Sequence, residues 1–377
     1  MDLKLNEDQS MMKKVAADFV KAEAPPHVIT DWFQKKSAYI PALYQKAASI
    51  GWLGMVVPEE YGGGGASYTD CAVVFEELGR GPLPGPYFTS GVLSSLLIMG
   101  GAKAAQKKAL LPQICDGSSI VIPAISDDPI QWGPRSVQTR LTKTADGFTL
   151  RGTKRYVYDG EAATSFICAA RTDEDKITLV LVDKNSPGVS TRPVPGFVIG
   201  VAEAAFDNVS VLTDNVIGAG WEVVKEAVCK ALPILCAYKV GACQEIFDIT
   251  NEYTRTRVVF GQPIGRFQRV QDHCVDISIH LDGARWITYE TLWKLDSGMD
   301  VAAGAHQAQA VASEAYYQSC HFSHMVFAGP GTDYKHPLMA HSVMAHTLYQ
   351  YLGTPLHHKR EMVDALFPRK GGKSTDA

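Results

Sequence analysis

Arg257, Phe260, Gly261, Gln262, Gly265 and Gln268 stand close together in one stretch, Arg257-Val-Val-Phe260-Gly261-Gln262-Pro263-Ile264-Gly265-Arg266-Phe267-Gln268. Arginine offers a forked set of donors that suits a phosphate, and glutamine adds an amide. Phenylalanine adds a flat apolar face. Two glycines and a proline turn the chain between helical patterns on either side. The chemistry that fits is capture of a ligand with both phosphate and a flat ring. For Arg257 the plainer alternative is a helix-end arginine serving carbonyls or a nearby carboxylate. Phe260 is expected to face the ring and Phe267 to pack in the core.

Other reactive residue types make weaker patterns. Cys229, Cys236 and Cys243 recur every seven residues and share one helix face. With no CxxC pair, they are expected as small buried apolar residues in a reduced, cytoplasmic protein, not as a metal or redox cluster. His357-His358 and the pair His341 and His346 have no cysteine or carboxylate at ligand spacing, so solvated or packed histidines are expected. Gly62-Gly-Gly-Gly65 does not fit GxGxxG and predicts a flexible turn, not a phosphate loop.

The 377 residues suffice for two or three domains with sizeable cores. A 46% hydrophobic and 20% charged composition is that of an ordinary soluble chain. The net charge of -4 and the lack of a basic stripe argue against nucleic acid and membrane surfaces. No apolar run reaches spanning length, and the acidic start has no signal core.

The elements that must position these residues fall into three blocks. Asp8–Ala22, Ile40–Leu53, Ser67–Leu78 and Ser90–Met99 have helical periodicity. From Ser118, short β-rich runs follow: Ser119–Ile125, Phe148–Gly152, Arg155–Tyr158, Thr164–Ala169, Lys176–Val182, Phe197–Phe206 and Asn208–Leu212. They predict a small antiparallel barrel or sandwich. Trp221–Val258, Gln268–Ser297, Val301–Phe327 and His336–Leu352 then predict a four-helix bundle. The expected class is α+β: helical domain 1–117, β domain 118–214, bundle 215–365, and a disordered tail 366–377.

This order, with four motifs along the chain, resembles the acyl-CoA dehydrogenase family. Arg257–Gln268 matches its RxxFGxPIGxFQ segment nearly letter for letter. Pro58-Glu-Glu-Tyr-Gly-Gly63 followed by Val74-Phe-Glu-Glu-Leu-Gly-Arg80 is similar to its PEEYGG…EELGR signature. Phe206-Asp-Asn-Val-Ser-Val211 resembles its last β-domain strand, and Phe327-Ala-Gly-Pro-Gly331 with His336-Pro337-Leu338 its QIHGGIG…HPL segment. The resemblance implies that fold, an acyl-CoA substrate and FAD. It makes Arg257, Phe260, Gly261, Gln268 and Gly329 cofactor-binding residues, reaching across a subunit interface to a neighbour's FAD. An electron-transfer flavoprotein is the implied electron acceptor.

The same comparison predicts gaps. Members of this family remove the α-proton with a Glu in a YEGT segment, which here is Tyr351-Leu352-Gly353-Thr354. The alternative seat on the first bundle helix falls on Ala231, beside Leu232. The TEPxxGSD loop becomes Ser126-Asp127-Asp128-Pro129-Ile130-Gln131-Trp132, and the W-I-T/S strand becomes Tyr156-Val157-Tyr158. A tyrosine there fills space that a flavin ring needs. Met325-Val-Phe-Ala328-Gly329 lacks the glutamine and one glycine of QIxGG. Asp127 and Asp128 lie near the expected active-site mouth as candidates for a substitute base; a solvated loop pair is the simpler expectation.

No catalytic residue is therefore expected in this chain. It is expected to complete a FAD site in a second, related subunit, in a heterotetramer of the kind typical of bacterial steroid side-chain degradation. Two alternatives stay open: a self-sufficient flavoenzyme with other chemistry, or a non-catalytic scaffold.

Overall fold

The computed structural model describes residues 4–35, 39–128, 130–218 and 220–368. Its first elements are helices because apolar stripes there are paired with good caps. In α1 (Glu7–Glu23) the Asn6 side chain accepts from Gln9 N while the Gln9 side chain accepts from Asn6 N. Pro26 opens α2 (Pro26–Lys35) and Pro41 opens α3 (Pro41–Ile50), where a missing N–H does no harm. Ser67 and Asp70 form a second capping box on α4 (Tyr68–Arg80). A π-helical segment, Tyr87–Ser94, runs into α5 (Ser95–Gly101), and α6 (Ala104–Cys115) ends the block. The glycine run is not a flexible turn. A Cβ on Gly63 would lie 2.1 Å from Val57 O, so glycine is needed there for close backbone approach.

The middle block is one sheet: β1 (Val121–Ala124), β2 (Arg140–Thr144), β3 (Gly147–Tyr158), β4 (Ser165–Thr172), β5 (Ile177–Asp183), β6 (Val189–Pro193), β7 (Val201–Val211) and β8 (Val216–Gly218). The strand order is β6-β7-β3-β2-β4-β5-β8, with β1 added to β4. Most pairs are antiparallel, but β4 runs parallel to both β1 and β2. The two runs around Arg151 and Tyr156 are one strand. Its register against β7 shifts between Leu150 and Gly152 and again between Lys154 and Val157.

Long helices follow: α7 (Trp221–Thr256), α8 (Gln268–Asp296), α9 (Ala302–Phe327) and α10 (Pro337–Tyr349), with α11 (Pro355–Leu366) added beyond the expected four. Helix thus continues through Leu366, and residues 369–377 of the expected tail lie outside the described residues. Two glycines fasten the first block to the bundle. A Cβ on Gly79 would sit 1.8 Å from Tyr238 O, and one on Gly241 would sit 1.7 Å from Glu76 O. The backbones of α4 and α7 therefore touch, which fixes α7 and everything it carries. Among the described residues no helix is long and apolar enough to cross a membrane.

Candidate functional site

The arginine stretch forms a two-residue hairpin at the end of α7. Val258–Val259 pairs with Gln262–Pro263, leaving Phe260 and Gly261 as the turn. Both have left-handed backbone, φ 52° and 78°. A mirror-type tight turn requires this at both central positions, which suits glycine but strains phenylalanine. Phe260 is nonetheless 91 % exposed, braced only edge-on by Phe267 with ring centroids 6.3 Å apart. Arg257, Gly261 and Gln268 are exposed as well. Among the described residues Arg257 has no ion pair; its backbone N–H donates to Tyr253 O and its carbonyl accepts from Ile264 N.

Gly329 lies at the same end of the bundle, just past α9. Tyr253 of α7 stacks on Phe327 of α9 with centroids 4.3 Å apart, tying the two ends together. The structure therefore gathers Arg257, Phe260, Gly261 and Gln268 on one arm, with Gly329 on the adjoining exposed rim.

Leu352 and Ala231 are elsewhere. At about 1.5 Å of rise per helical residue, Ala231 stands about 39 Å from Arg257 along α7. Ala231 is fully buried, and Leu352 is buried with a left-handed φ of 63°. The cleft beside Leu352 lies between the sheet and the bundle and is lined by Pro123, Ser126, Asp128, Trp132, Tyr156 and Tyr351. Its volume is about 30 Å³. That is far below the few hundred Å³ of a small-ligand pocket, so the residues present leave no room for a flavin ring in it.

Aromatic side chains fill the space. Tyr156 Oη donates to Thr347 O at 2.9 Å, and Tyr158 Oη lies 3.4 Å from Met344 Sδ, both on α10. The Tyr158 and Tyr351 rings meet edge-on, centroids 5.2 Å apart. Ile199 N donates to Thr347 Oγ1 at 3.0 Å. Sheet and bundle are thus joined tightly beside Leu352.

The two aspartates differ from the solvated pair expected. Asp127 accepts from Lys154 Nζ at 2.8 Å, from Gln138 N at 2.8 Å and from the Thr139 hydroxyl. Lys154 is wholly buried and also donates to Ile125 O and Ala169 O. Asp127 is therefore a structural counter-ion. Asp128 accepts from Ile130 N (2.7 Å) and Gln131 N (3.1 Å), and these bonds hold its carboxyl below the usual range. Both carboxyls are engaged by hydrogen bonds from their own surroundings.

Lys154 escaped sequence reasoning, as did Lys239, a lone charge in the apolar face of α7. Lys239 donates to Gln309 Oε1 (3.0 Å) and Ser313 Oγ (2.8 Å), and burial draws its ammonium down to about 8. Gln309 sits 3.4 Å from Tyr351 O, so this network lies under the Leu352 turn. Cys229, Cys236 and Cys243 are buried and unpaired. His358 is packed, with Nδ1 2.8 Å from His306 Nδ1. Among the described residues no cluster suited to a metal occurs.

The chain is thus built of a helical block, a sheet and a helical bundle, with a hairpin arm at the end of α7 and a narrow cleft between sheet and bundle. Family models for the acyl-CoA dehydrogenase N-terminal, middle and C-terminal domains match residues 6–118, 131–210 and 218–364. The chain belongs to the acyl-CoA dehydrogenase family, whose members are FAD-dependent oxidoreductases. It is 25% identical over 376 residues to the human mitochondrial short-chain specific acyl-CoA dehydrogenase, covering 93% of this chain and 88% of that protein. Butyryl-CoA dehydrogenase from Megasphaera elsdenii superposes with a TM-score of 0.87 at 25% identity, covering 97% of this chain and 100% of that one. The ChsE4-ChsE5 complex from Mycobacterium tuberculosis has the same fold, with TM-score 0.89, 23% identity, and 98% and 100% coverage.

Proposed function

We propose that this chain is one subunit of a heteromeric acyl-CoA dehydrogenase and supplies half of a FAD site to a related partner chain. The observation that carries this is the opposite state of the two halves. The arm is exposed and preformed, while the cleft that would hold a ring in the same chain is narrowed by Tyr156 and Tyr351, the latter backed by Tyr158. Arg257 suits a cofactor phosphate through its fork of donors. Phe260 offers a ring face, Gln268 an amide, and Gly261 and Gly329 close backbone approach.

The reaction class is α,β-dehydrogenation of an acyl-CoA thioester. This chain contributes binding groups and no proton-transfer group, since Leu352 and Ala231 occupy the base positions. The partner supplies the carboxylate and the ring pocket, and an electron-transfer flavoprotein takes the electrons. Val275, Ile279 and Trp286 form an exposed apolar line on α8, next to the arm, that suits a partner. The fold is shared with a solved complex of two named chains, ChsE4-ChsE5, which is in keeping with a partner chain. The heterotetramer and a bulky steroid-CoA substrate are inferred from the family resemblance of the sequence. Eight unpaired cysteines suit a cytoplasmic setting.

The test is to produce the chain alone and together with a related chain encoded beside it, then compare flavin absorbance and acyl-CoA oxidation. Flavin and activity are expected only for the pair. Full activity from this chain alone overturns the reading.

A further inference from the structure

The helix α11 turns apolar side chains toward water. Pro355 and His358 are buried on its inner face, where His358 meets His306 of α9. Lys359 adds an ion pair to Glu314 of α9 at 2.7 Å. On the outer face Leu356, Val363 and Phe367 are 58%, 47% and 70% exposed. At about 100° per residue these three and Arg360 fall within an arc of about 60°. Their spacing of four, three and four residues is that of a helical seam made to meet a second helix. None of them belongs to the arm or to the cleft beside Leu352.

Such a stripe calls for a cover. Residues 369–377 carry nothing apolar beyond one alanine methyl, so they offer none. Charge on the stripe selects the occupant. Arg360 and Asp364, one turn apart and both exposed, have no ion pair among the described residues. Laid antiparallel on a second α11, Leu356 meets Phe367 of the second copy. Arg360 then lies against Val363 of that copy, with Asp364 of that copy within reach of the guanidinium. A twofold axis repeats each contact, so both arginines and both aspartates are paired and the apolar side chains are covered. In a parallel arrangement Arg360 lies against Arg360 of the second copy, and like charges oppose it.

We propose that α11 is a self-complementary docking face through which two copies of this chain pair antiparallel. The pairing does not rest on the shared FAD site. A purely basic or purely acidic partner satisfies only one of the two charges, whereas the antiparallel copy satisfies both. One helix of 12 residues, about 18 Å long, gives an interface at the small end of specific ones. The pair should therefore dissociate in roughly the micromolar range.

Sedimentation velocity of the full chain from about 1 to about 100 μM reads the pairing. The wild type is expected to associate reversibly across that range. Arg360→Asp sets acid against acid at two symmetry-related places and should weaken association at least about tenfold. Asp364→Arg should do the same, and the two exchanges together should restore association to within about threefold of wild type. Val363→Glu, in the middle of the seam, should abolish the pairing. All three positions are exposed, so an unchanged Tm shows that each variant is folded. A wild type that stays monomeric at about 100 μM overturns the proposal, including one captured by lipid vesicles instead. So does association whose mass and affinity are unmoved by Arg360→Asp and Val363→Glu, or a double exchange that restores nothing.

Discussion

Arg257→Ala separates a binding role from a structural one. The side chain is exposed and has no ion pair among the described residues, and its backbone hydrogen bonds to Tyr253 and Ile264 survive truncation. Truncation should therefore change the stability of the isolated chain by no more than about 0.5 kcal/mol, the usual range for surface sites. In the proposed complex the same arginine would donate to a cofactor phosphate. A hydrogen bond to a charged group contributes about 1.5–3 kcal/mol, so FAD affinity should fall roughly ten- to 150-fold. Arg257→Lys keeps the charge and loses the fork, so its loss should be intermediate. The assay is fluorescence titration of the apo-complex with FAD, beside urea unfolding of the chain alone. Unchanged FAD affinity would refute the binding role. A stability loss above about 1 kcal/mol would instead show that the arginine holds the hairpin.

Three further outcomes follow from the packing. Lys154→Met strips Asp127 of its buried counter-ion and should destabilise by about 3–5 kcal/mol in urea unfolding, with Asp127→Asn added to it restoring much of the loss. Gly241→Ala drives a methyl into Glu76 O and should cost about 3 kcal/mol, read as a drop in Tm; an unchanged Tm contradicts the touching backbones of α4 and α7. Burial pushes the Asp159 carboxyl up to about 7, against the lowering effect of the Thr89 hydroxyl at 2.6 Å. The unfolded chain gives up this proton near pH ~3.9 and the native state only near 7, so stability is full below about pH 4 and declines as pH rises to 7, by up to about 4 kcal/mol. Asp159→Asn should flatten that slope in pH-dependent unfolding, and an unaltered slope would show that this carboxyl does not set it.

The arm was legible because it is local: a two-residue turn places Phe260 and Gly261 whatever surrounds it. The long helices were legible from periodicity sustained over several turns. By contrast β2 and β6 escaped notice because few of their residues are buried, which leaves no alternation to read. In α11 only Pro355 and His358 are buried, too little for an apolar stripe. The pairing of Lys154 with Asp127 joins a strand to a loop 27 residues away, a relation that no local pattern carries. Tyr158 could be suspected of filling a ring pocket, but its placement against Met344 and Tyr351 depends on how sheet and bundle meet.

Phe260 and Leu352 sharpen the division of labour between the two halves of the site. Both are non-glycine residues held at positive φ, which strains the backbone by about 1–2 kcal/mol. At Leu352 the surroundings offset that strain: the side chain is buried, and the neighbouring Tyr351 packs on Tyr158 and Phe88. The turn closes the cleft, and Leu352 itself presents nothing polar to it. At Phe260 no such compensation exists within the chain, because the ring stands in water with one edge contact. A strained turn that exposes a large aromatic is stabilised by whatever covers the ring. Among the described residues the ring contact recorded for Phe260 is Phe267, and Arg257, Gly261 and Gln268 are exposed on the same arm. The proposed role supplies such a cover from outside the chain: a flat, phosphate-bearing cofactor held in a partner would match what the arm offers.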